Sequence, residues 1–128
     1  MIAIDPDAPP PGRPRWFALD TRSMHARLAR SPALIHWVER TDDLEAALRD
    51  YSGTVDIVSF SRGPYRWRMG VPPDGRRPGK GREPTLIQWQ GDLHPAQALP
   101  VSGCRLERFD AAIPSAAFST PSGMRTIS

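Results

Sequence analysis

The chain has 128 residues, a formal net charge of +3 and one cysteine, and 24% of its residues are charged. This length fits a single domain, and the lone cysteine excludes an internal disulfide or a cysteine-rich zinc site and suits a reducing cytoplasm. No stripe of basic residues favours nucleic acid as a partner, and no apolar run spans a bilayer or forms a signal peptide, so we expect a cytoplasmic protein.

The first part of the chain predicts an aromatic anchor followed by a short helix. Residues 16–19 read WFAL, a cluster that is typical of core packing. Asp20 or Thr21 can cap the helix that follows, and the Ser-Pro pair at 31–32 ends it. We therefore expect one helix ahead of the main sheet.

Four strands are predicted in the middle of the chain. Residues 34–38 form an apolar, aromatic run that is long enough for a buried or half-buried strand. The segments 54–60, 65–71 and 85–90 are rich in β-branched and aromatic residues and predict three more strands.

One helix is predicted between the first two strands. Thr41 and Asp42 offer a cap, and Glu45 follows Asp42 at the spacing of a capping box. An apolar stripe at helical spacing is formed by Leu44, Ala47, Leu48 and Tyr51. A single helix laid across a mostly antiparallel sheet is one of the few ways to bury both faces of such a set of elements, so the predicted fold class is α+β.

The segment 72–83 is a basic loop, rich in proline and glycine, between the third and fourth strands. One interpretation is a mobile lid that brings Arg76, Arg77 and Lys80 towards an anionic ligand. The more common alternative is a flexible, solvated loop, and the lysine that ends a phosphate-binding loop before serine or threonine is absent.

After the fourth strand the patterns become weaker. Residues 94–100 predict a turn and a short helical stretch, where His94 either approaches the sheet or lies on the surface. Residues 103–113 predict one more strand, in which Cys104 is a buried structural thiol rather than a nucleophile. Residues 114–128 are small and polar, and we expect a poorly ordered tail there.

This order of elements resembles the βαβββ module of the vicinal-oxygen-chelate superfamily of glyoxalases, bleomycin-resistance proteins and dioxygenases. More narrowly, it resembles the bacterial glyoxalase-like domain proteins. The residues that carry the resemblance lie at 14–20, 34–48, 61–63, 84–89, 94–100 and 103–109. The resemblance implies a cupped mixed sheet with one covering helix, in a partial domain over residues 1–113 whose module spans 33–91.

The resemblance also implies that the chain begins inside its family's domain. Most of the first βαβββ module, with a strand that carries a glutamate metal ligand, would fall before Met1. Half of a cupped sheet leaves an edge and a face uncovered. We therefore expect a homodimer in which a second copy supplies the missing half.

Strand alternation divides the side chains between two faces of the expected sheet. We expect the helix to cover the more apolar face, which carries Ile35, Trp37, Trp67, Ile87 and Trp89. The concave face would then carry the candidate ligand-binding residues His36, Arg66, Arg68, Gln88 and Gln90. One bulge would invert this assignment for a strand.

The superfamily's enzymes bind a divalent metal in the cup, through the first and fourth strands of each module. His36 aligns with the first-strand position and Gln88 with the fourth-strand position, so the resemblance implies a site for Zn, Fe, Ni or Mn. Two ligands are few for tight binding, and one of them is a neutral amide. A packed histidine and a cup-lining glutamine are the ordinary alternatives.

Arg66 and Arg68 either clamp a carboxylate or phosphate or lie over the sheet with their charges in solvent. Three functions follow from these residues and from the resemblance. The first is metal-assisted lyase, isomerase or dioxygenase chemistry on a small oxygenated or anionic molecule. The second is a metal-free module that binds such a ligand, and the third is an inactive remnant of the same fold.

Overall fold

The computed structural model describes residues 7–104 and 107–108. The helices are α1 (Arg22–Arg30), α2 (Leu44–Leu48) and α3 (Pro95–Ala98). The strands are β1 (Val38–Arg40), β2 (Asp56–Arg62), β3 (Tyr65–Val71) and β4 (Thr85–Trp89). Short 3-10 turns occupy Trp16–Ala18 and Pro78–Gly81. The predicted α+β class and the βαβββ order from β1 to β4 are confirmed.

The four strands form one mixed sheet in the order β1-β4-β3-β2. β1 runs parallel to β4, and β3 runs antiparallel to both of its neighbours. Because β1 and β2 are the two edges, the chain between them must cross the sheet, and α2 lies on that crossing. α2 therefore covers one of the two faces of the sheet.

β2 and β3 form a hairpin whose register runs from the Asp56–Val71 pair to the Arg62–Tyr65 pair. The two-residue turn contains Gly63 at a φ of 56°, in the left-handed region that glycine adopts at little cost. This turn fixes which side chains of the two strands share a face.

The strand predictions differ from the structure most at the sheet's edges. β3 has the predicted bounds, β4 ends one residue early, and β2 begins and ends two residues late. β1 lies at Val38–Arg40 instead of 34–38, and the Leu34 side chain is 73% exposed. An edge strand can pair only as far as its single neighbour reaches, and β4 begins at the partner of Val38.

α2 begins one residue later than predicted. The Asp43 side chain is the cap and accepts a hydrogen bond from Ala46 N at 2.9 Å. Asp42 instead forms an exposed ion pair with Arg40. The predicted capping box is therefore wrong, and Glu45 is used elsewhere, as described below.

The N-terminal segment packs on the face of the sheet that lacks α2. Trp16 contacts Phe60 of β2 edge-on, with ring centroids 5.2 Å apart. Leu19 and Met24 are buried, and the Thr21 side chain caps α1 by accepting from Met24 N. The helix predicted ahead of the sheet is confirmed.

The loop between β3 and β4 packs against this same segment. Ala18 N donates to Gly75 O at 2.8 Å, and Gly75 itself is buried at a φ of 71°. Pro72 and Pro78 are also buried. The expectation of a solvated loop is therefore wrong for this part of 72–83, while Arg76 stays exposed beside Asp74.

The chain after α3 is described only in part. Cys104 is exposed, so the expected buried thiol is wrong. Most of the strand predicted at 103–113, and the whole tail 114–128, lie outside the described residues. Among the helices of the described ranges, none combines the length and the hydropathy that a membrane crossing requires.

Candidate functional site

α2 covers the polar face of the sheet. Leu44 N donates to Gln88 Oε1 at 3.3 Å, and an ideal Cβ on Gly70 would lie 2.9 Å from Leu48 Cδ2. The face that carries Gln88, Arg68 and Gly70 is therefore the helix-covered face. Our expectation that α2 covers the aromatic face is wrong.

The polar groups beneath α2 satisfy one another. Gln88 Oε1 also accepts from Arg68 Nη2 at 2.6 Å, and Gln88 Nε2 donates to Asp42 O at 2.7 Å. Arg68 makes two further bonds to Glu45, Nη1 to Oε1 at 2.5 Å and Nη2 to Oε2 at 3.0 Å. These bonds from Arg68 lower the pKa of the Glu45 carboxyl. The network ties the first turn of α2 to β3 and β4.

Arg66 and Gln90 lie on the same side of the sheet by strand alternation. Both are exposed, and Gln90 N donates to Arg66 O at 2.9 Å. Of the five predicted ligand residues, the structure thus brings the side chains of Arg68 and Gln88 into contact. Arg66 and Gln90 are joined to each other through their backbones only.

His36 belongs to the opposite side. Its Nε2 accepts from Thr85 N at 3.1 Å and lies 2.7 Å from Thr85 Oγ1, and Thr85 alternates onto the face of Ile87 and Trp89. Because a backbone N–H donates to Nε2, the proton of the neutral ring is assigned to Nδ1. Burial, with the nearby charge of Arg77, lowers the pKa of His36 to about 4. The imidazole is therefore neutral at physiological pH.

His36 and Gln88 do not fit one metal centre. They lie on opposite faces, and Gln88 is already saturated by Arg68 and by the backbone of residues 42 and 44. Within residues 7–104 and 107–108, no group of three or more histidine, cysteine, aspartate or glutamate side chains could hold an ion. A metal role for either residue separately stays a prediction.

The face without α2 holds an open-sided cavity of about 460 Å³. We call this surface the open face. Its cavity is lined by Val38, Arg40, Arg62, Tyr65, Trp67, Met69, Ile87, Trp89, His94 and Pro95. Each strand of the sheet contributes to it, and no carboxylate is among these lining residues.

A row of aromatic rings forms the floor of the cavity and continues beyond it. Phe60 stacks on Trp67 with centroids 5.7 Å apart, and Trp67 lies 5.3 Å from Trp89. His94 then meets the Trp89 ring edge-on at 4.7 Å. The row runs from Phe60 of β2 to His94, and the planes of successive rings are inclined by 20°, 45° and 73°, so a flat ligand can contact both ring faces and ring edges along it.

Two arginines reach the cavity from opposite edges of the sheet. Arg40 ends β1 and Arg62 ends β2, and the strands are three spacings, about 14 Å, apart. Arg40 forms an ion pair with Asp42 at 3.1 Å, in which both side chains are largely exposed. Arg62 follows Phe60 on the same face and pairs in register with Tyr65.

Arg40, Arg62 and the rings of Trp67, Trp89 and His94 were not predicted as a group. The main source of the error is the assumption that a helix takes the more apolar face. Gly70 was the available signal, because a glycine inside a strand often marks the close approach of another element. Leu48 approaches Gly70 in this way.

Comparison with known proteins bears on the family alone. Searches against proteins with curated functions and against solved structures gave no match. The family model of the glyoxalase-like domain matches residues 1–123, which is nearly the whole chain. The mixed four-stranded sheet with α2 across one face agrees with that match. The chain therefore belongs to the glyoxalase-like domain family.

Proposed function

We propose that this protein binds a small, planar, anionic molecule in the cavity of the open face. The observation that carries the proposal is an aromatic row that is flanked by arginines and free of carboxylates among the described lining residues. A flat ring can lie on Trp67 and Trp89 while its acidic group approaches Arg62. The predicted ligand class is thus retained, and its predicted site moves to the other face.

Arg62 is the stronger candidate for the acidic group. The Arg40 side chain already pairs with Asp42, whereas Arg62 stands beside Tyr65 without a carboxylate neighbour in the described part of the cavity. Guanidinium groups bind carboxylates and phosphates through two parallel hydrogen bonds. Bonds of this charged kind contribute about 1.5–3 kcal/mol.

A metal-assisted reaction is not part of the proposal, because His36 and Gln88 do not fit one metal centre. Lyase, isomerase or dioxygenase chemistry stays a prediction, and so does the inactive remnant. The expected homodimer and the cytoplasmic location also stay predictions, and light scattering at micromolar concentration tests the first of these.

Three small acids and amides test the proposal. Benzoate is flat and charged, benzamide is flat and neutral, and cyclohexanecarboxylate is charged but not flat. We expect benzoate to bind about tenfold more tightly than either of the others, because each lacks one of the two contacts. Quenching of tryptophan fluorescence measures affinity, and amide chemical shifts around Trp67 and Trp89 locate the ligand.

The variant Arg62→Met should lower benzoate affinity about tenfold, to that of benzamide. Arg66→Met is the matched control, since Arg66 lies on the helix-covered side of the neighbouring strand. Equal affinities for benzoate and benzamide, or equal losses in the two variants, would overturn the proposal.

A further inference from the structure

We infer that His94 is a specificity-determining residue, which donates a hydrogen bond from Nε2–H to an uncharged oxygen of the ligand. The class of ligand is then a flat acid with a second acceptor, such as an aromatic keto acid. The inference rests on the proposed function and adds the group at the other end of the ligand.

His94 stands where such a contact is possible. Its half-buried ring lines the cavity and meets Trp89 at 4.7 Å and 73°. Arg62 lies towards the other end of the aromatic row, two residues after Phe60 on the same face. A ligand that lies along Trp67 and Trp89 would thus have one end near the guanidinium and the other near the imidazole.

The proton of the neutral His94 ring is assigned to Nε2. Ala96 N donates to His94 Nδ1 at 3.1 Å, so Nδ1 must present a lone pair. The Nε2–H has no acceptor among the described residues. His94 therefore differs from His36, whose Nε2 is the accepting atom.

The His94 ring is also held in place before a ligand arrives. His94 N donates to Gln97 Oε1 at 3.0 Å, and Gln97 N donates to His94 O at 3.0 Å. Pro95 follows with a fixed φ. A donor that is fixed in advance loses little freedom on binding and can discriminate between ligands.

A matched pair of acids isolates this contact. 4-Acetylbenzoate and 4-ethylbenzoate have similar shape and equal charge, and only the first carries a carbonyl acceptor. We expect the wild-type protein to prefer 4-acetylbenzoate about fivefold, which is the effect of one hydrogen bond. Fluorescence titration measures both dissociation constants.

The variant His94→Asn separates the donor from the cap. Asparagine is a good helix cap and keeps the bond to the backbone of α3, but its shorter side chain withdraws from the cavity. We expect this variant to bind 4-acetylbenzoate about fivefold more weakly and to lose the preference. His25→Asn is the control and should keep the preference, since the His25 ring bonds to Leu19 O outside the cavity.

The outcomes distinguish the two proposals. If neither acid binds, the proposed function fails and the role of His94 fails with it. If both bind without a preference, or if His94→Asn keeps the preference, only the role of His94 is overturned. A long-range ¹H–¹⁵N spectrum that shows the proton on Nδ1 would overturn it as well.

Discussion

The two faces of the sheet differ in what surrounds their side chains. The helix-covered face half-buries Gln88 and Arg68, whose polar atoms are satisfied by α2 and its flanking residues. The open face leaves Trp67 and Trp89 at the wall of a cavity, with two arginines at its rim. The polar side chains of the helix-covered face thus bond to α2 and its flanking residues, whereas the cavity of the open face is available to a ligand.

The length of α2 explains why the helix lies on the polar side. In a helix of five residues, most of the N–H groups have no acceptor within the helix. Asp43 and Gln88 supply acceptors for two of these groups, and an aromatic face could supply none. Leu44 and Leu48 alone are also too few to cover two tryptophan rings.

The substitution Gln88→Leu should have the largest effect, on the helix-covered face. It leaves Leu44 N, Asp42 O and one Arg68 bond without their partner, which should lower the free energy of unfolding by about 3 kcal/mol. Urea denaturation measures the change.

Gln90→Leu is the control for this substitution, because Gln90 is exposed and follows the end of β4. Its effect should stay within about 0.5 kcal/mol. Should the two variants be equally stable, the network beneath α2 would not hold the helix, and the contrast between the faces would lose its basis.

The same contrast shows how far the sequence could lead. Alternation in β3 correctly separated Arg68 from Trp67 and Met69, because the side-chain period of a strand is local. Which face the helix covers is a tertiary outcome. It depends on a five-residue helix and on the Gly70–Leu48 contact, and neither is visible in the polarity of the strands.

The cavity was beyond prediction for a related reason. His94 lies outside the sheet, and its approach to Trp89 depends on the path of the chain after β4. The edges of the sheet were equally hidden, since the length of β1 depends on where β4 begins. The presence and order of the elements from α1 to β4 follow local patterns and were predictable, whereas the position of β1 was not.

The substitution Gly75→Ala tests how the N-terminal segment is fastened over the open face. Gly75 has a positive φ, and an added Cβ would meet the Arg15 carbonyl oxygen well inside van der Waals contact. We expect a loss of about 2 kcal/mol or more in the free energy of unfolding. Gly63→Ala is the matched control, with a positive φ but open space around the new methyl group.

Gly63→Ala should lose only the strain of the left-handed backbone, about 1 kcal/mol. The excess loss in Gly75→Ala then measures the contact with the N-terminal segment. Equal losses in the two variants would mean that the loop moves away from Arg15 without cost, and that the segment is not fastened there.

The pH dependence of stability should reveal the half-buried imidazole of His36, which lies on the open face. The unfolded chain protonates His36 near pH 6.5, whereas the folded chain does so only near pH 4. Stability should therefore fall as the pH falls through this range, because the unfolded state binds more protons there. After allowance for partial exposure, the fall should be about 1–2 kcal/mol.

His36→Gln removes this proton and should flatten the curve of unfolding free energy between pH 6.5 and pH 4. The carboxylates are unchanged, so the difference between the two curves belongs to His36. A difference that does not vary with pH would show that the imidazole is accessible to protons in the folded state.

The smallest effect concerns the two aspartates before α2. Asp43→Ala removes the side chain that accepts from Ala46 N and should lower the free energy of unfolding by about 1 kcal/mol. Asp42→Ala removes only an exposed ion pair with Arg40, worth less than about 0.5 kcal/mol, and keeps the backbone oxygen that Gln88 binds. A larger loss of unfolding free energy in Asp42→Ala than in Asp43→Ala would show that Asp42, the residue that the sequence pattern favoured, caps α2. α2 would then begin one residue earlier, and the Asp42 side chain would compete with Gln88 for the N–H groups of the first turn.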